Sequence, residues 1–263
     1  MRHFRLVAQF IKASFQEEAA YRANFFISLF YSLLNLGTGV LGVLVIFGQV
    51  ESVHGWNLSA TLALLGVYLT VLALRGLFIG PGLESLAGMD GDIWSGRIDF
   101  TLLRPVDIQF LVSLRKWRLF ATFDLLLGLG VLGVAVAQLG IQLTAWQLVT
   151  FLITLFSGVV ILYSILLAFA GLVFWSPGVL FTWIFDGIFQ MARYPLGMYP
   201  GWLRLVLTWI VPVGVITTVP VEALKGTLSI QALLSSLAIA FLLAVGASLL
   251  FRKGLRRYAS ASS

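Results

Sequence analysis

Three ionisable side chains stand inside long apolar runs of this sequence: Arg75, Asp124 and Asp186. A charge at that depth in a bilayer costs some kcal/mol unless it is paired or lines a polar path, so each is a candidate for function or for a structural ion pair. Arg75 lies about five residues before the end of its run and Asp124 about five after the start of the next, which puts them at equal depth on adjacent antiparallel helices at 1.5 Å per residue. The spacing predicts a structural ion pair between them. Asp186 has no such partner. It shares a helical face with Trp183 at i−3, Gln190 at i+4 and Arg193 at i+7. That stripe suits either a path for a lipophilic or cationic substrate, formed by Trp183, Asp186 and Gln190, or a structural contact of Asp186 with Arg193 or a partner chain.

No catalytic set can be assembled around these groups. The chain has no Cys and two His, His3 and His54, at opposite ends of the first apolar run. No Ser-His-Asp arrangement, paired catalytic carboxylates or metal-ligand cluster emerges. Gly-Lys occurs nowhere, so a phosphate-binding loop that could hydrolyse ATP is excluded. The expectation is a non-enzyme with no catalytic residue, no metal and no cofactor of its own.

The elements that must position these residues are membrane helices. With 60% hydrophobic and 11% charged residues, the chain falls in the integral membrane class. Residues 1–22 read as an amphipathic helix lying on the membrane surface, with Phe4, Val7, Ala8, Ile11 and Phe15 on one side and Arg5, Lys12 and Gln16 on the other. Apolar runs at 25–48, 60–80, 119–140, 146–174, 175–192 and 230–251 predict six transmembrane helices in an all-α protein. Ser176-Pro177-Gly178 breaks the chain between the fourth and fifth. Residues 179–222 also admit a second reading, an inner surface element over 179–200 and a fifth span over 202–222. Glycine patches at Gly37, Gly39 and Gly42, and at Gly128, Gly130 and Gly133, sit mid-span and read as close helix packing rather than nucleotide binding. Of 17 Lys and Arg, Arg193, Arg204 and Lys225 fall on one side and the rest with the termini and the loop 84–118. The positive-inside rule then puts both termini and that loop in the cytoplasm. The basic balance needs no nucleic acid.

Residues 84–118 gather Glu84, Asp90, Asp92, Arg97, Asp99, Arg104, Asp107, Arg115, Lys116 and Arg118, too much charge for hydrocarbon and too short a stretch for a catalytic domain. Within it runs Gly96-Arg97-Ile98-Asp99-Phe100-Thr101-Leu102-Leu103-Arg104-Pro105-Val106. Together with Tyr21-Arg22-Ala23-Asn24-Phe25 before the first span and Arg193-Tyr194-Pro195-Leu196 late in the chain, this resembles the permease subunits of type-2 ABC exporters, the group that pairs two related permeases with a separate ATPase. The resemblance covers nearly the whole chain.

It implies a multi-pass permease of a bacterial inner membrane, with a re-entrant outer hairpin over 193–226 before the last span. It further implies a cytoplasmic ATPase partner that carries ATP and Mg, and a second permease, identical or homologous. Docking of the ATPase falls to Glu84, Asp92, Ile98, Asp99, Phe100, Leu103, Arg104 and Pro105, where apolar residues interrupt the charges as in a coupling helix seated in a groove. Aromatic walls favour a lipophilic or amphipathic cargo such as a drug or organic cation. The competing class is a secondary transporter or channel with Asp124 and Asp186 as ion sites, against which stands the absence of an inverted repeat.

Overall fold

The computed structural model describes residues 2–20, 22–88, 90–140, 143–176 and 181–258. Tyr21, Pro177 and Gly178 of the sequence readings lie outside them. Helix α1 (Arg2–Ala20) is followed by α2 (Arg22–Phe47) and a two-residue ladder of β1 (Ser52–Val53) and β2 (Trp56–Asn57). Val53 pairs with Trp56 across His54 and Gly55, both at positive φ, as a two-residue hairpin turn requires. Asn57 then caps α3 (Leu58–Leu74) by accepting from the Ala60 amide.

The helical path of α3 runs on through a π-turn, Arg75–Ile79, α4 (Gly80–Leu83) and a 3₁₀ turn, Glu84–Leu86. The polar segment holds α5 (Ile98–Leu102) and α6 (Ile108–Leu114). Next come α7 (Ala121–Leu139), stopped by Gly140 at φ 62°, and α8 (Ala145–Leu172), opened by a capping box of Thr144 and Gln147. Then follow α9 (Phe181–Phe189), α10 (Gly201–Leu205), α11 (Val213–Lys225) and α12 (Ile230–Arg257).

Among the described residues, five stretches are long and apolar enough to cross a membrane: Ala23–Phe47, Leu58–Leu86, Ala121–Leu139, Ala145–Leu172 and Ile230–Arg257. They coincide with the apolar runs at 25–48, 60–80, 119–140, 146–174 and 230–251. Of the run at 175–192, residues 177–180 lie outside the described ones, and the described part does not form one α-helix. Its helix, α9, covers nine residues and is succeeded by 3₁₀ turns at Gln190–Arg193 and Leu196–Met198. Pro195 ends the first of these turns, because it forces Tyr194 out of the helical region, to φ −120° and ψ 149°. This broken stretch still climbs the bundle: Asp186 meets Arg75 near the polar segment, and Gly197 lies against His54 of the hairpin. Gly201–Ile210 and Val213–Lys225 follow as a pair bent by 92°, the bend falling at Val211 and Pro212. Lys225 ends back at the hairpin end, over the Trp56 ring at 4.6 Å.

Glycines close the main seams. A Cβ at Gly66 would lie 2.7 Å from the Leu132 backbone, and one at Gly128 2.7 Å from the Thr70 amide, so α3 and α7 meet backbone to backbone. Gly171 and Gly254 do the same for α8 and α12, and Gly158 for α8 and α11. Of the two mid-span patches, Gly39, Gly42 and Gly128 serve close packing, while Gly37, Gly130 and Gly133 face open space. The core centres on α3, whose Tyr68, Leu64 and Leu65 are wholly buried.

Candidate functional site: a charged cavity joined to the polar segment

Arg75 is the first residue of the π-turn and is 8% exposed. Its Nε and Nη2 donate to Glu84 Oε1 at 3.1 and 2.6 Å, and its Nη1 donates to Asp186 Oδ1. The Phe185 ring covers the guanidinium at 5.9 Å. The expected Arg75–Asp124 pair is thus corrected: the ion pairs of Arg75 are with Glu84 and Asp186. Regular helical geometry hides this arrangement, since nine residues of α-helix turn about 900° and would place Glu84 on the face opposite Arg75. The π-turn and the Gly80-Pro81 break bring it round. Asp186, read from sequence as lacking a partner, is held by Arg75 and forms no ion pair or hydrogen bond with Arg193.

Around this cluster lies a cavity of about 400 Å³, bounded by α2, α3, α7 and α9. Asp124, Asp186, Gln190 and Arg193 all face it, so two of the three substrate-path candidates meet there with both members of the expected ion pair. Trp183 does not; it is 73% exposed on the far side of α9. Phe185 and Phe189 are buried against the core. Arg193 donates to Asn35 Oδ1 and lies over the Tyr68 ring at 5.2 Å, and its Nε is buried without an acceptor. Asn35 and Tyr68 were missed from sequence; the signal was a polar residue, Asn35, in the middle of the first apolar run.

The polar segment folds around Asp92, which is 4% exposed. Its carboxylate accepts from Arg97 Nε at 2.9 Å, from Arg115 Nη2 and from Ser85 Oγ at 3.4 Å. Its backbone closes the same knot, with Asp92 N donating to Ser85 O and Ile98 N to Asp92 O, both at 3.0 Å. Gly91 is required beside it, because a Cβ there would meet the Ala87 carbonyl at 2.4 Å. Leu83, Leu86, Ile93 and Ile98 fill the interior. Of the expected docking residues, Glu84, Asp92 and Ile98 therefore face inward. Phe100 and Leu103 are 74% and 81% exposed, and with Trp94, Leu102, Arg104 and Pro105 they form the outer surface of the segment.

Two ties connect this module to the bundle. Gln109 Nε2 donates to Tyr163 Oη at 3.2 Å and Ser248 Oγ at 3.1 Å, and Ser113 Oγ bonds the same Tyr163 hydroxyl at 2.9 Å, which fixes α6 to α8 and α12. On the other side, the Leu119 and Phe120 amides donate to Glu18 Oε2 at 2.9 and 3.2 Å, and Trp117 N to Ser14 Oγ at 3.1 Å, docking α1. Burial pushes the Glu18 carboxyl above its ordinary range, against the pull of those two amides. Burial also pushes the Lys116 ammonium down, helped by Arg115 and Arg97. Among the described residues, no three His, Asp or Glu side chains converge as a metal site needs.

A family model described as ABC-2 family transporter protein matches residues 33–262. No curated protein and no solved structure is detectably similar to the chain.

Proposed function

Because the chain belongs to the ABC-2 transporter family, and is therefore a multi-pass membrane permease component served by a partner ATPase, we propose that it is the permease of an exporter whose residues 84–118 couple it to a cytoplasmic ATPase. The observation that carries this reading is the pair of faces on the polar segment. One face, organised around Asp92, is clamped to the bundle through Gln109 and Ser113; the other presents Phe100, Leu102 and Leu103 to the outside. Short α5 carries these apolar residues at its C-terminal end, in the manner of a helix seated in a partner's groove.

In this reading the polar segment and both termini are cytoplasmic, as the distribution of Lys and Arg favours. The hairpin of β1 and β2 faces outside, and residues 193–226 form a re-entrant element entered from there. ATP and Mg belong to the partner. Two permeases, identical or homologous, share one pathway, and closure of the ATPase pair is relayed by the polar segment to the spans. The cargo is amphipathic. Asp186 is engaged by Arg75, which weakens both a route built on that carboxylate alone and an ion-coupled carrier that uses it.

The test is the double substitution Phe100→Ala with Leu103→Ala in the full chain, affinity-purified from its native membrane with whatever ATPase accompanies it. Burial of each side chain in a partner is worth about 1.5–3 kcal/mol, so ATPase recovery should fall by roughly tenfold or more, with the melting temperature of the permease unchanged. Full recovery of a normally stimulated ATPase removes this face as the coupling surface.

A further inference from the structure

The charges around the cavity do not cancel where they stand. Arg75 is matched by two carboxylates, Glu84 and Asp186, which leaves that cluster one negative charge in excess, and Asp124 and Arg118, which line the same space, add one charge of each sign. Asp124 faces the same space and, among the described residues, has no ion pair or hydrogen bond of its own. Towards the hairpin end the imbalance reverses. Among the described residues, Arg193 has an amide oxygen and an aromatic face but no carboxylate partner, and its Nε is buried without an acceptor. Tyr68, under Arg193, is seven residues from Arg75 along one helical path, a rise of about 10 Å. Excess charge of one sign thus sits about a headgroup's length from excess charge of the other.

The shape of the space fits the same ligand. Helix α2 meets the bundle closely in its hairpin-end half, where a Cβ at Gly39 would lie 3.0 Å from Leu65 and one at Gly42 2.7 Å from the Tyr194 hydroxyl, and again at its start, where the Phe25 ring packs edge-on against Phe120 and Phe123 at 5.0 and 5.1 Å. Between these contacts Ser28, Tyr31, Ser32 and Asn35 become the cavity wall. A second cavity of about 670 Å³ adjoins this one and shares Ser28, Tyr31, Pro81 and Arg118 with it. It is lined by Glu17, Lys116 and Trp117 beside the amphipathic α1, the depth of an interfacial helix. The first cavity, at about 400 Å³, has the size of a small-ligand pocket; it holds a headgroup but not two acyl tails.

We propose that the cavity is a headgroup site for a zwitterionic amphiphile, which enters past α1 and sets its anionic group on Arg193 and its cationic group at Asp124 and the acid side of the Arg75 cluster. A purely cationic ligand satisfies the acids and leaves Arg193 bare; a purely anionic one does the reverse. Only a ligand with both charges compensates both poles. The proposal rests on the permease reading, for which it names the cargo class.

The test uses the full chain in a non-ionic maltoside detergent and three fluorescent probes with one common alkyl tail, bearing phosphocholine, trimethylammonium or sulfate. The phosphocholine probe is expected to bind about tenfold more tightly than either other, a difference of about 1.4 kcal/mol. Arg193→Gln should weaken the phosphocholine and sulfate probes by about fivefold or more and leave the trimethylammonium probe unchanged, and Asp124→Asn should do the converse. Ser32→Trp, which fills the cavity from its α2 wall without removing a charge, should abolish the preference for phosphocholine; it decides the matter should Arg193→Gln fail to fold. Equal binding of the three probes, or indifference to all three substitutions, overturns the site. Neither result depends on ATPase recovery, so loss of the coupling surface and loss of the headgroup site are told apart.

Discussion

Asp92→Ala is the most informative single change in the polar segment, because it removes the centre of the knot without touching the outer face. Arg115 is its costly partner: the Arg115 side chain is 16% exposed and that of Asp92 5%. Stranding a charge of that kind costs about 3–5 kcal/mol. Arg97, at 58% exposed, adds only about 0–1 kcal/mol, and Ser85 Oγ still reaches Arg115 at 3.0 Å, which trims the loss. A net cost of about 3 kcal/mol follows from these terms.

The assay is a double-mutant cycle with Arg115→Met, read by thermal unfolding in detergent and by protease cutting within residues 84–118. Removing both charges strands neither, so the double variant should be less destabilised than the sum of the singles by at least about 1 kcal/mol. ATPase recovery should fall with Asp92→Ala although Asp92 is buried, since Phe100 and Leu103 lose their support. Strict additivity in the cycle, or unchanged proteolysis of the segment, refutes the assignment of Asp92 as the organising residue.

The other predictions concern the cavity and α1. Arg75→Gln should be more destabilising than Asp186→Asn, because the first strands two carboxylates while the second leaves Arg75 with Glu84; the order of melting temperatures checks it. Asp124→Asn should alter stability by no more than about 0.5 kcal/mol, the opposite of what an Arg75–Asp124 pair demands. For Glu18, the folded carboxyl is held above its ordinary range, so folding takes up a proton; its contribution is present at low pH and is lost as pH rises through the raised pKa. Glu18→Gln should therefore match the native chain near pH 4 and hold α1 more firmly at pH 7.5, measured as the mobility of a spin label at Gln9→Cys. A looser α1 in Glu18→Gln at pH 7.5 contradicts the sign.

The spans were legible because their signal is bulk hydropathy, which tertiary context does not alter: residues 60–80 and 146–174 fall on α3 and α8 within a few residues. The fifth run was not, because apolar composition does not show where α9 gives way to a 3₁₀ turn at Gln190. The cavity was half legible. Arg75, Asp124, Asp186 and Gln190 stand out as polar residues in apolar surroundings, and four polar groups have few places to go but one cavity. Which of them pair was hidden by the assumption of a regular helix between residues 75 and 84, the assumption that the π-turn breaks. On the polar segment the sequence marks charge but not direction. Asp92 and Asp99 look alike in a charged loop, and only the knot around Ser85 and Arg115 makes one of them the core.

Glu84 belongs to both halves of this design. It closes the 3₁₀ turn that opens the polar segment, and it holds Arg75 at the cavity. Force on the segment has two ways into the membrane. Through Gln109 and Ser113 it meets α8 and α12, a seam closed by Gly171 and Gly254 at contact distance from opposing chain, and close-packed seams transmit displacement without yielding. Through Glu84 it meets the π-turn Arg75–Ile79, where the regular i→i−4 ladder is already interrupted beside the cavity that α2 walls. Interruptions of that kind recur at functional sites. Were the proposed ATPase to push on the outer face, the motion would meet close packing at α8 and α12 and an interrupted helix at Arg75, whose guanidinium bridges Glu84 and Asp186.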